Sequence, residues 1–462
     1  MQTRKETDSI GELEVEENAY YGVQTLRGYQ NFQITGERMN GAFIRNITKI
    51  KKAGATINAR YGYIKPEIAQ AIITACDEIL DGKFDDHFIT DAVQGGAGTS
   101  VNMNVNEVVA NRATELLGGR KGEYLCRPND HVNRSQSTND VIPTAGKLTV
   151  LELSDGLFTE LEKLIVAFEN KAKEFDGVIK MGRTQLQDAV PVRLGQEFHA
   201  YATGLKRDYK RLKNTLQEMQ VVNLGGSAIG TSVNVGAGYL QNIVAELSKE
   251  CNRELTQADD LIDGTGNLDG FVAVSGSLKA LAVNVSKICN DLRLMSSGPK
   301  TGFAEIILPA KQNGSSIMPG KINPVIPEVV SQVAFMVVGN DMTVTVAAEA
   351  GQLELNAFEP VIFYRLFESI TCLTNAMRTL TLNCIEGITA NKERCEELVY
   401  SSVGVVTALC PYLGYKKSAE LAKEALKRKR SIKDLVLEYG LMEEKELDVI
   451  LDPYAMTENN KK

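Results

Sequence analysis

Apolar seams with a helical period constrain the fold of this chain more than any other feature of its sequence. One seam has offsets of 0, 3, 7, 10 and 14 and consists of Leu278, Leu281, Val285, Ile288 and Leu292, which is the spacing of a coiled coil. Further apolar faces of helical character lie between residues 157 and 168 and in the Pro-free stretch 328–349. Because such faces need partner helices, the sequence predicts an all-α fold built around a bundle of long helices.

The charge balance and the cysteine pattern exclude several functional classes. The chain has 51 Lys and Arg against 59 Asp and Glu, a net charge of −8, whereas nucleic-acid-binding proteins are basic. The longest apolar stretches are interrupted by polar residues, so no membrane span is expected. The N-terminal residues are charged and lack the apolar core of a secretory signal, and the 8 Cys contain no C-x-x-C pair. These features predict a soluble, cytoplasmic protein with reduced thiols.

Spacing also excludes three familiar kinds of site. The segment Gly314–Lys321 resembles a P-loop only superficially, because five residues separate its glycines and Ile322 follows the Lys. The run Gly264–Gly270 misses the dinucleotide-binding spacing by one residue and is expected to be a plain loop. No metal site of the zinc type is expected, because the histidines are scattered; they are His87, His131 and His199.

Four polar segments marked by Gly or Pro lie between the predicted helices. Loops on a rigid scaffold are where functional residues tend to lie. The four segments are Gln94–Asn104, Pro128–Asp140, Gly182–Asp188 and Asn313–Pro324.

The residue types in these segments suit the binding of carboxylates. Hydroxyls, amides and backbone N–H groups donate hydrogen bonds to carboxylate oxygens, and a Lys neutralises their charge. The turn at Met318–Gly320 can present successive N–H groups as an anion-binding nest, beside which a Ser could be held as an alkoxide base. The alternative is a simple surface connector, but Ile317, Met318 and Ile322 are apolar residues that need cover.

The segment Gly314–Pro324 resembles the G-S-S-x-M-P-x-K-x-N-P motif of the aspartase/fumarase superfamily. The motif is long and specific, and the resemblance extends over nearly the whole chain. It begins at Ala19–Gly28 and continues through the other polar segments into the C-terminal part.

Within this superfamily, four details resemble aspartate ammonia-lyases more than class II fumarases. They are the loop Gly96–Asn102, the Thr at position 138, the continuation Pro324–Val330 with the segments that follow it, and Gln185. Fumarases have a His in place of Gln185, which helps to activate water. Arg127 also replaces a His that is typical of fumarases. A fumarase, or another lyase of the superfamily, remains the alternative, and a non-catalytic structural protein on the same scaffold is a third.

The resemblance implies an all-α fold with three domains. They comprise residues 1–139, 140–391 and 392–462. The central domain would supply long helices to a bundle shared by four subunits. Each active site of this homotetramer would be built from residues of three subunits.

The resemblance also implies the reaction, which is the reversible conversion of L-aspartate to fumarate and ammonium. Ser315 would be the catalytic base, as an oxyanion held by the N–H groups of Ile317 and Met318. The α-carboxylate would be bound by Lys321, Asn323 and Thr138. The β-carboxylate would be surrounded by Thr99, Ser137, Thr184 and Ser316. The amino group would contact Asn139 and Thr99, and Gln185 would contact the substrate by hydrogen bonds alone.

Gly314 and Gly320 would act as hinges of a mobile loop that closes over the substrate. No cofactor is required for this chemistry and no metal site is expected. Activation by a divalent cation such as Mg²⁺ is left open by the sequence.

Overall fold

The computed structural model describes residues 2–458 and contains mainly α-helices. In the described part of the chain, the first eight helices are α1 (Val23–Asn31), α2 (Gly41–Arg60), α3 (Pro66–Leu80), α4 (Thr99–Leu116), α5 (Thr138–Glu174), α6 (Leu194–Thr215), α7 (Ala237–Cys251) and α8 (Leu261–Gly266). The remaining helices are α9 (Asp269–Met295), α10 (Val325–Glu349), α11 (Glu359–Asn383), α12 (Lys392–Ser401), α13 (Cys410–Leu413), α14 (Tyr415–Arg428), α15 (Ile432–Glu438) and α16 (Glu444–Ile450). The predicted all-α class is confirmed.

The strands are short and form two-stranded sheets. Within residues 2–458 they are β1 (Thr3–Thr7), β2 (Glu12–Glu16), β3 (Ile179–Thr184), β4 (Gln187–Arg193), β5 (Val221–Val222), β6 (Thr256–Gln257), β7 (Ile306–Ile307) and β8 (Thr389–Ala390). The pairs β1–β2, β3–β4 and β7–β8 are antiparallel, and β5–β6 is parallel. Only β3–β4 carries residues that the sequence analysis assigns to a site.

The predicted helices are confirmed, and only the start of α10 differs from the expected one. The seam from Leu278 to Leu292 lies in α9, and each of its five residues is at most 5% exposed. The apolar face at residues 157–168 lies in α5. Helix α10 begins at Val325, three residues before the expected start, because Pro327 is tolerated in a first helical turn, where its missing N–H would have no intrahelical partner.

Three of the polar segments differ from the expected loops. The segment Gln94–Asn104 becomes helical at Thr99, and Pro128–Asp140 consists of a π-helical turn, a hydrogen-bonded turn and the start of α5. The segment Gly182–Asp188 forms the tip of the hairpin β3–β4. The prediction of a plain loop at Gly264–Gly270 is also wrong, because this segment contains the last residues of α8 and the first residues of α9.

The chain divides into two compact units. The first contains residues 2–158, 210–280 and 335–373, and the second contains residues 159–209, 281–334 and 374–458. The three domains expected from the sequence follow other boundaries and stay a prediction.

The core of the first unit is aromatic near the start of α5. Phe363 on α11 lies 5.4 Å from Phe43 and 5.2 Å from Phe271, measured between ring centroids. Gly146 on α5 permits this packing, because a Cβ at this position would lie only 2.4 Å from the Phe363 ring. The N-terminal half of α5 is thus fixed by close packing.

The second unit contains the hairpin β3–β4 and the short C-terminal helices. A hydrophobic cluster in the C-terminal part includes Leu409, Leu421, Leu435 and Leu447. A segment preceding this cluster packs on the hairpin, because a Cβ at Gly404 would lie 2.4 Å from the Ala189 carbonyl oxygen. The hairpin is therefore supported by the C-terminal part of its own unit.

Two helices meet the length and composition of a membrane span, although the sequence analysis expected none. Helices α9 and α10 reach a mean hydropathy of 1.3 and 1.4 over 18 residues, and 56% and 39% of these windows are buried inside the protein. A core helix of a soluble protein meets the same criterion. Helix α9 packs in the core, because its seam is buried.

Candidate functional site

Thr99 is presented by a tight left-handed bend at the start of α4. Gly96, Ala97 and Gly98 have φ of +85°, +53° and +83°, and a Cβ at Gly98 would lie 2.9 Å from Ile142. The Thr99 hydroxyl donates its proton to the Gly96 carbonyl oxygen at 2.7 Å. It can therefore only accept a further hydrogen bond, which suits an ammonium group better than a carboxylate.

Ser137, Thr138 and Asn139 form the N-terminal end of α5, here called the helix-end cluster. The Ser137 and Thr138 hydroxyl oxygens accept hydrogen bonds, from Asn139 N at 3.3 Å and from Asn102 Nδ2 at 3.1 Å. Both hydroxyls thus keep their proton for donation to an anion. The positive end of the dipole of a long helix also favours an anion here.

The side chain of Asn139 has the opposite polarity. One of its terminal atoms lies 2.7 Å from the Ala228 carbonyl oxygen. Because a carbonyl oxygen can only accept, that atom must be the amide nitrogen. The amide oxygen of Asn139 is left as an acceptor, one residue along the chain from the hydroxyl donor of Thr138.

A buried polar network lies behind the helix-end cluster. The Lys51 ammonium donates to Asn133 Oδ1 at 2.8 Å and to Gln136 Oε1 at 3.1 Å, and Asn102 and Asn106 donate to the same Asn133 oxygen at 3.4 and 3.3 Å. Burial lowers the pKa of Lys51 to about 7. The network joins α2 and α4 to the segment that leads into α5, so it restricts how that segment can move.

Asp140 is the residue that follows the cluster, and its carboxylate is completely buried. Burial raises its pKa to about 6, although backbone N–H groups and Lys51 favour the charged form. The sequence analysis assigned no function to Asp140, Lys51, Asn133 or Asn102. The available signal was the pair Asn102 and Asn106, whose four-residue spacing puts two amides on one face of a helix.

In the second unit, Thr184 and Gln185 lie at the tip of the hairpin β3–β4. Gln185 and Leu186 are the two turn residues, with φ of +55° and +61°. Such turns favour Asn and Gly, and a left-handed residue of another type costs about 1–3 kcal/mol. Strain of this kind is found at functional sites, and within residues 2–458 no hydrogen bond occupies the Thr184 or Gln185 side chain.

The base of this hairpin is fixed by buried charges. The fully buried Glu305 carboxylate lies 2.8 Å from Arg183 Nη1 and 3.2 Å from Lys180 Nζ. The Arg183 guanidinium also lies over the Phe303 ring, 4.1 Å from its centroid. The hairpin tip therefore projects from a firmly held base.

The segment 313–324, here called the GSS loop, contains Ser315 in a local cradle. The Ser315 hydroxyl oxygen accepts hydrogen bonds from Ile317 N at 3.2 Å and from Met318 N at 3.0 Å. These are the contacts expected for a serine oxyanion, since both donors face the oxygen that would carry the charge. The role of Ser315 as a base stays a prediction.

The loop is closed at its base by contacts of Gly314. Its N–H donates to the Lys321 carbonyl oxygen at 2.9 Å, and its carbonyl oxygen accepts from Asn323 Nδ2 at 2.7 Å. Gly320 has a φ of +79°. Ile317 is 83% exposed, and in the described part of the chain the side chains of Ser316 and Lys321 make no hydrogen bond or ion pair. The side chains of Ser316 and Lys321 are thus available to a ligand, whereas the Met318 N–H is already bonded to Ser315.

The structure brings the predicted residues together in three groups, each within one unit. Thr99 and the helix-end cluster belong to the first unit, and the hairpin tip and the GSS loop belong to the second. Among residues 2–458, no group of three or more His, Cys, Asp or Glu could hold a metal ion.

Comparison with known proteins gives consistent matches over the whole chain. Family models described as Lyase and as Fumarase C C-terminus match residues 11–339 and 405–458. The aspartate ammonia-lyase of Bacillus subtilis (strain 168) is 50% identical over 455 residues, 98% of this chain and 96% of the relative.

Two solved structures share the fold. A fumarate lyase:delta crystallin from Brucella melitensis, bound to cobalt, matches with a TM-score of 0.96 and 48% identity over 99% of this chain and 100% of that one. A class II fumarase from Schistosoma mansoni matches with a TM-score of 0.96, but with 34% identity over 98% of this chain and 99% of that one.

Proposed function

This chain belongs to the lyase family of the aspartases and fumarases, and we propose that it is a carbon–nitrogen lyase. Its reaction is the reversible elimination of ammonium from L-aspartate to give fumarate. The observation that carries this proposal is the polarity of the helix-end cluster. At the start of α5, Thr138 offers a hydroxyl donor and Asn139, the next residue, offers an amide acceptor, which fits the carboxylate and the ammonium group that L-aspartate carries on its Cα.

Ser315 acts as the base and removes a proton from Cβ. The electron pair of that C–H bond is first held by the β-carboxylate, which becomes an aci-carboxylate dianion. This electron pair then forms the C=C bond as the C–N bond breaks and the substrate's ammonium group leaves as ammonia. Ser315 releases the proton that it took from Cβ, and ammonia takes up one proton, so that the products are fumarate and ammonium. The N–H groups of Ile317 and Met318 support this step, because they stabilise the oxyanion form of Ser315.

The two carboxylates are held by separate sets of residues. Lys321, Asn323 and Thr138 bind the α-carboxylate. Around the β-carboxylate, the developing charge is spread over Ser137, Thr184 and Ser316. The donor polarity of Ser137 supports its place in this set, whereas the Thr99 hydroxyl, already donating to Gly96, is better suited to the amino group.

The alternative reaction is the addition of water to fumarate. It requires a group that activates water, and an amide such as Gln185 cannot transfer a proton at neutral pH. The identity to a class II fumarase is also lower, at 34% against 50% to an aspartate ammonia-lyase. Elimination of ammonium is therefore the better-supported reaction.

The active unit is a homotetramer in which each active site takes residues from three subunits. An exposed apolar stripe on α10 supports this proposal, because it leaves Phe335 67%, Met342 65% and Val346 56% exposed. An apolar patch of this kind marks an interaction surface. Copies of the same chain, rather than a membrane, would cover it in the cytoplasm.

No cofactor takes part in the proposed steps, since the base and the carboxylate ligands all belong to the chain. Mg²⁺ would act as an activator outside the chemistry. The cobalt in the Brucella melitensis structure is a property of that protein.

A two-way product assay tests the proposal. The purified protein is incubated with fumarate, with and without ammonium, and L-aspartate and L-malate are quantified. We expect L-aspartate only when ammonium is present. A Ser315→Ala preparation made in the same way controls for contaminating host enzymes. L-Malate formed without ammonium would contradict the proposal and favour the fumarase reaction.

A further inference from the structure

Asp140 connects the helix-end cluster to a second loop of the first unit. One carboxylate oxygen accepts a hydrogen bond from Ser137 N at 2.9 Å. The other accepts from Gly225 N at 3.0 Å and from Ser227 N at 3.1 Å. These three backbone donors come from two segments and need a side chain with two acceptor oxygens. A carboxylate has two such oxygens, whereas an amide has only one.

The loop 223–230 is shaped around this carboxylate. Gly225, Ser227 and Gly230 have φ of +98°, +59° and +90°, and left-handed residues in such a loop turn backbone N–H groups toward a common anion. Gly225 is also sterically constrained, because a Cβ there would lie 2.8 Å from Leu240. The loop is thus an anion-binding nest whose anion is a side chain of the same chain.

The same loop determines the orientation of the Asn139 side chain. The Ala228 carbonyl oxygen accepts a hydrogen bond from Asn139 Nδ2 at 2.7 Å. Asn223 Nδ2 also donates to the backbone carbonyl oxygen of Asn139 at 3.0 Å, so the loop anchors the main chain of this residue as well. If the loop moved away, the Asn139 amide would lose its fixed nitrogen partner and could rotate to present either atom.

We propose that Asp140 is a positioning residue that fixes the loop 223–230 and thereby keeps the Asn139 amide oxygen facing the amino group of the substrate. The proposal rests on the proposed function, because it assigns Asn139 to the amino group of L-aspartate. It separates two kinds of recognition at one helix end. At this helix end the carboxylates are recognised by the hydroxyls of Ser137 and Thr138, and the amine by an amide that Asp140 orients indirectly.

The experiment measures the reverse reaction, with KM determined separately for ammonium and for fumarate. Two variants alter the contact between Asp140 and the loop. Asp140→Asn changes the residue on α5, and Gly225→Ala changes a residue of the loop 223–230. We expect each to raise KM for ammonium by about tenfold to a hundredfold, the loss typical of a hydrogen bond to a charged group. KM for fumarate and inhibition by succinate, which has no amino group, should change by less than about threefold.

Matched controls separate positioning from general damage. Asp81→Asn changes an exposed Asp, and Gly62→Ala changes a left-handed Gly with open space around its Cβ position. Both should leave the KM ratio of ammonium to fumarate unchanged. If Asp140→Asn does not fold, the Gly225→Ala variant carries the test.

Two results would overturn the inference. One is an unchanged KM for ammonium in both variants. The other is an equal rise in KM for fumarate, KM for ammonium and the inhibition constant of succinate, which would make Asp140 purely structural. Failure of the wild-type protein to form L-aspartate at all would instead overturn the proposed function.

Discussion

The helix-end cluster and the GSS loop hold the side chains that we propose to bind the substrate in opposite ways. Behind the cluster, Lys51, Asn133 and Asn102 form a buried network that fixes which groups donate and which accept. The GSS loop has local hydrogen bonds alone at Ser315, and Ile317 is 83% exposed. Thr138 and Asn139, which we propose to recognise the substrate, are thus oriented before it binds, whereas the proposed base lies on an exposed segment that we expect to close over it. This division suits a reaction that needs both specificity and exclusion of water.

Removing the proposed base should have the largest effect. We expect Ser315→Ala to lower kcat by about 10²–10⁴-fold with an unchanged Tm, since Ser315 is bonded only within its own loop. Steady-state kinetics and a thermal melt by circular dichroism measure both quantities. Ser316→Ala, one residue along, is the matched comparison and should lose less activity. Near-full activity of Ser315→Ala would remove this residue from the role of base.

Removing the charge of the GSS loop should come next. Lys321→Ala is expected to raise KM for L-aspartate by about tenfold to a hundredfold, because a charge-assisted hydrogen bond to a carboxylate is lost. Lys311→Ala changes another exposed Lys just before the loop and should leave KM as it is. If both variants had the same KM as the wild type, the α-carboxylate would have to bind elsewhere.

The same comparison explains which parts of the molecule could be predicted from the sequence. The Ser315 cradle was implied by the family resemblance of a short motif, which is sufficient here because the donors, Ile317 and Met318, are two and three residues away. The seam of α9 was predictable because its period is local. The network was not, since Lys51 and Asn133 are separated by 82 positions, and only the tertiary fold brings them together.

The hairpin β3–β4 was missed for a related reason. Its turn residues, Gln185 and Leu186, are not the Asn and Gly that signal a two-residue turn. Its base depends on the buried pair of Arg183 and Glu305, which are 122 positions apart. The sequence therefore indicated that Thr184 and Gln185 belong to a site, but gave no indication of the strands that carry them.

Stability measurements can sharpen the comparison directly. Asn102→Ala removes a buried amide that donates to Thr138 and Asn133, so we expect the free energy of unfolding to fall by about 1–3 kcal/mol. Ile317→Ala removes an exposed side chain of the GSS loop and should change it by less than about 0.5 kcal/mol. Urea unfolding of both variants measures the difference. Equal losses would mean that the loop is packed as firmly as the network.

The last expected effect is the pH dependence that Lys51 gives to stability. Its pKa is about 7 in the folded protein against an ordinary 10.5, so between these values the unfolded chain binds a proton that the folded protein does not. Stability should therefore rise with pH in this window and be lost as pH falls through about 7, by at most about 1.4 kcal/mol per pH unit.

Lys51→Met isolates this contribution, because the other titrating groups are common to both proteins. The variant leaves Asn133 Oδ1 and Gln136 Oε1 without their ammonium donor, which lowers stability by an amount that does not depend on pH. The quantity to compare is thus the slope of unfolding free energy between pH 7.5 and 8.5, which should be smaller in Lys51→Met. Equal slopes would mean that Lys51 keeps its proton when buried, and that the network behind the helix-end cluster holds a full positive charge.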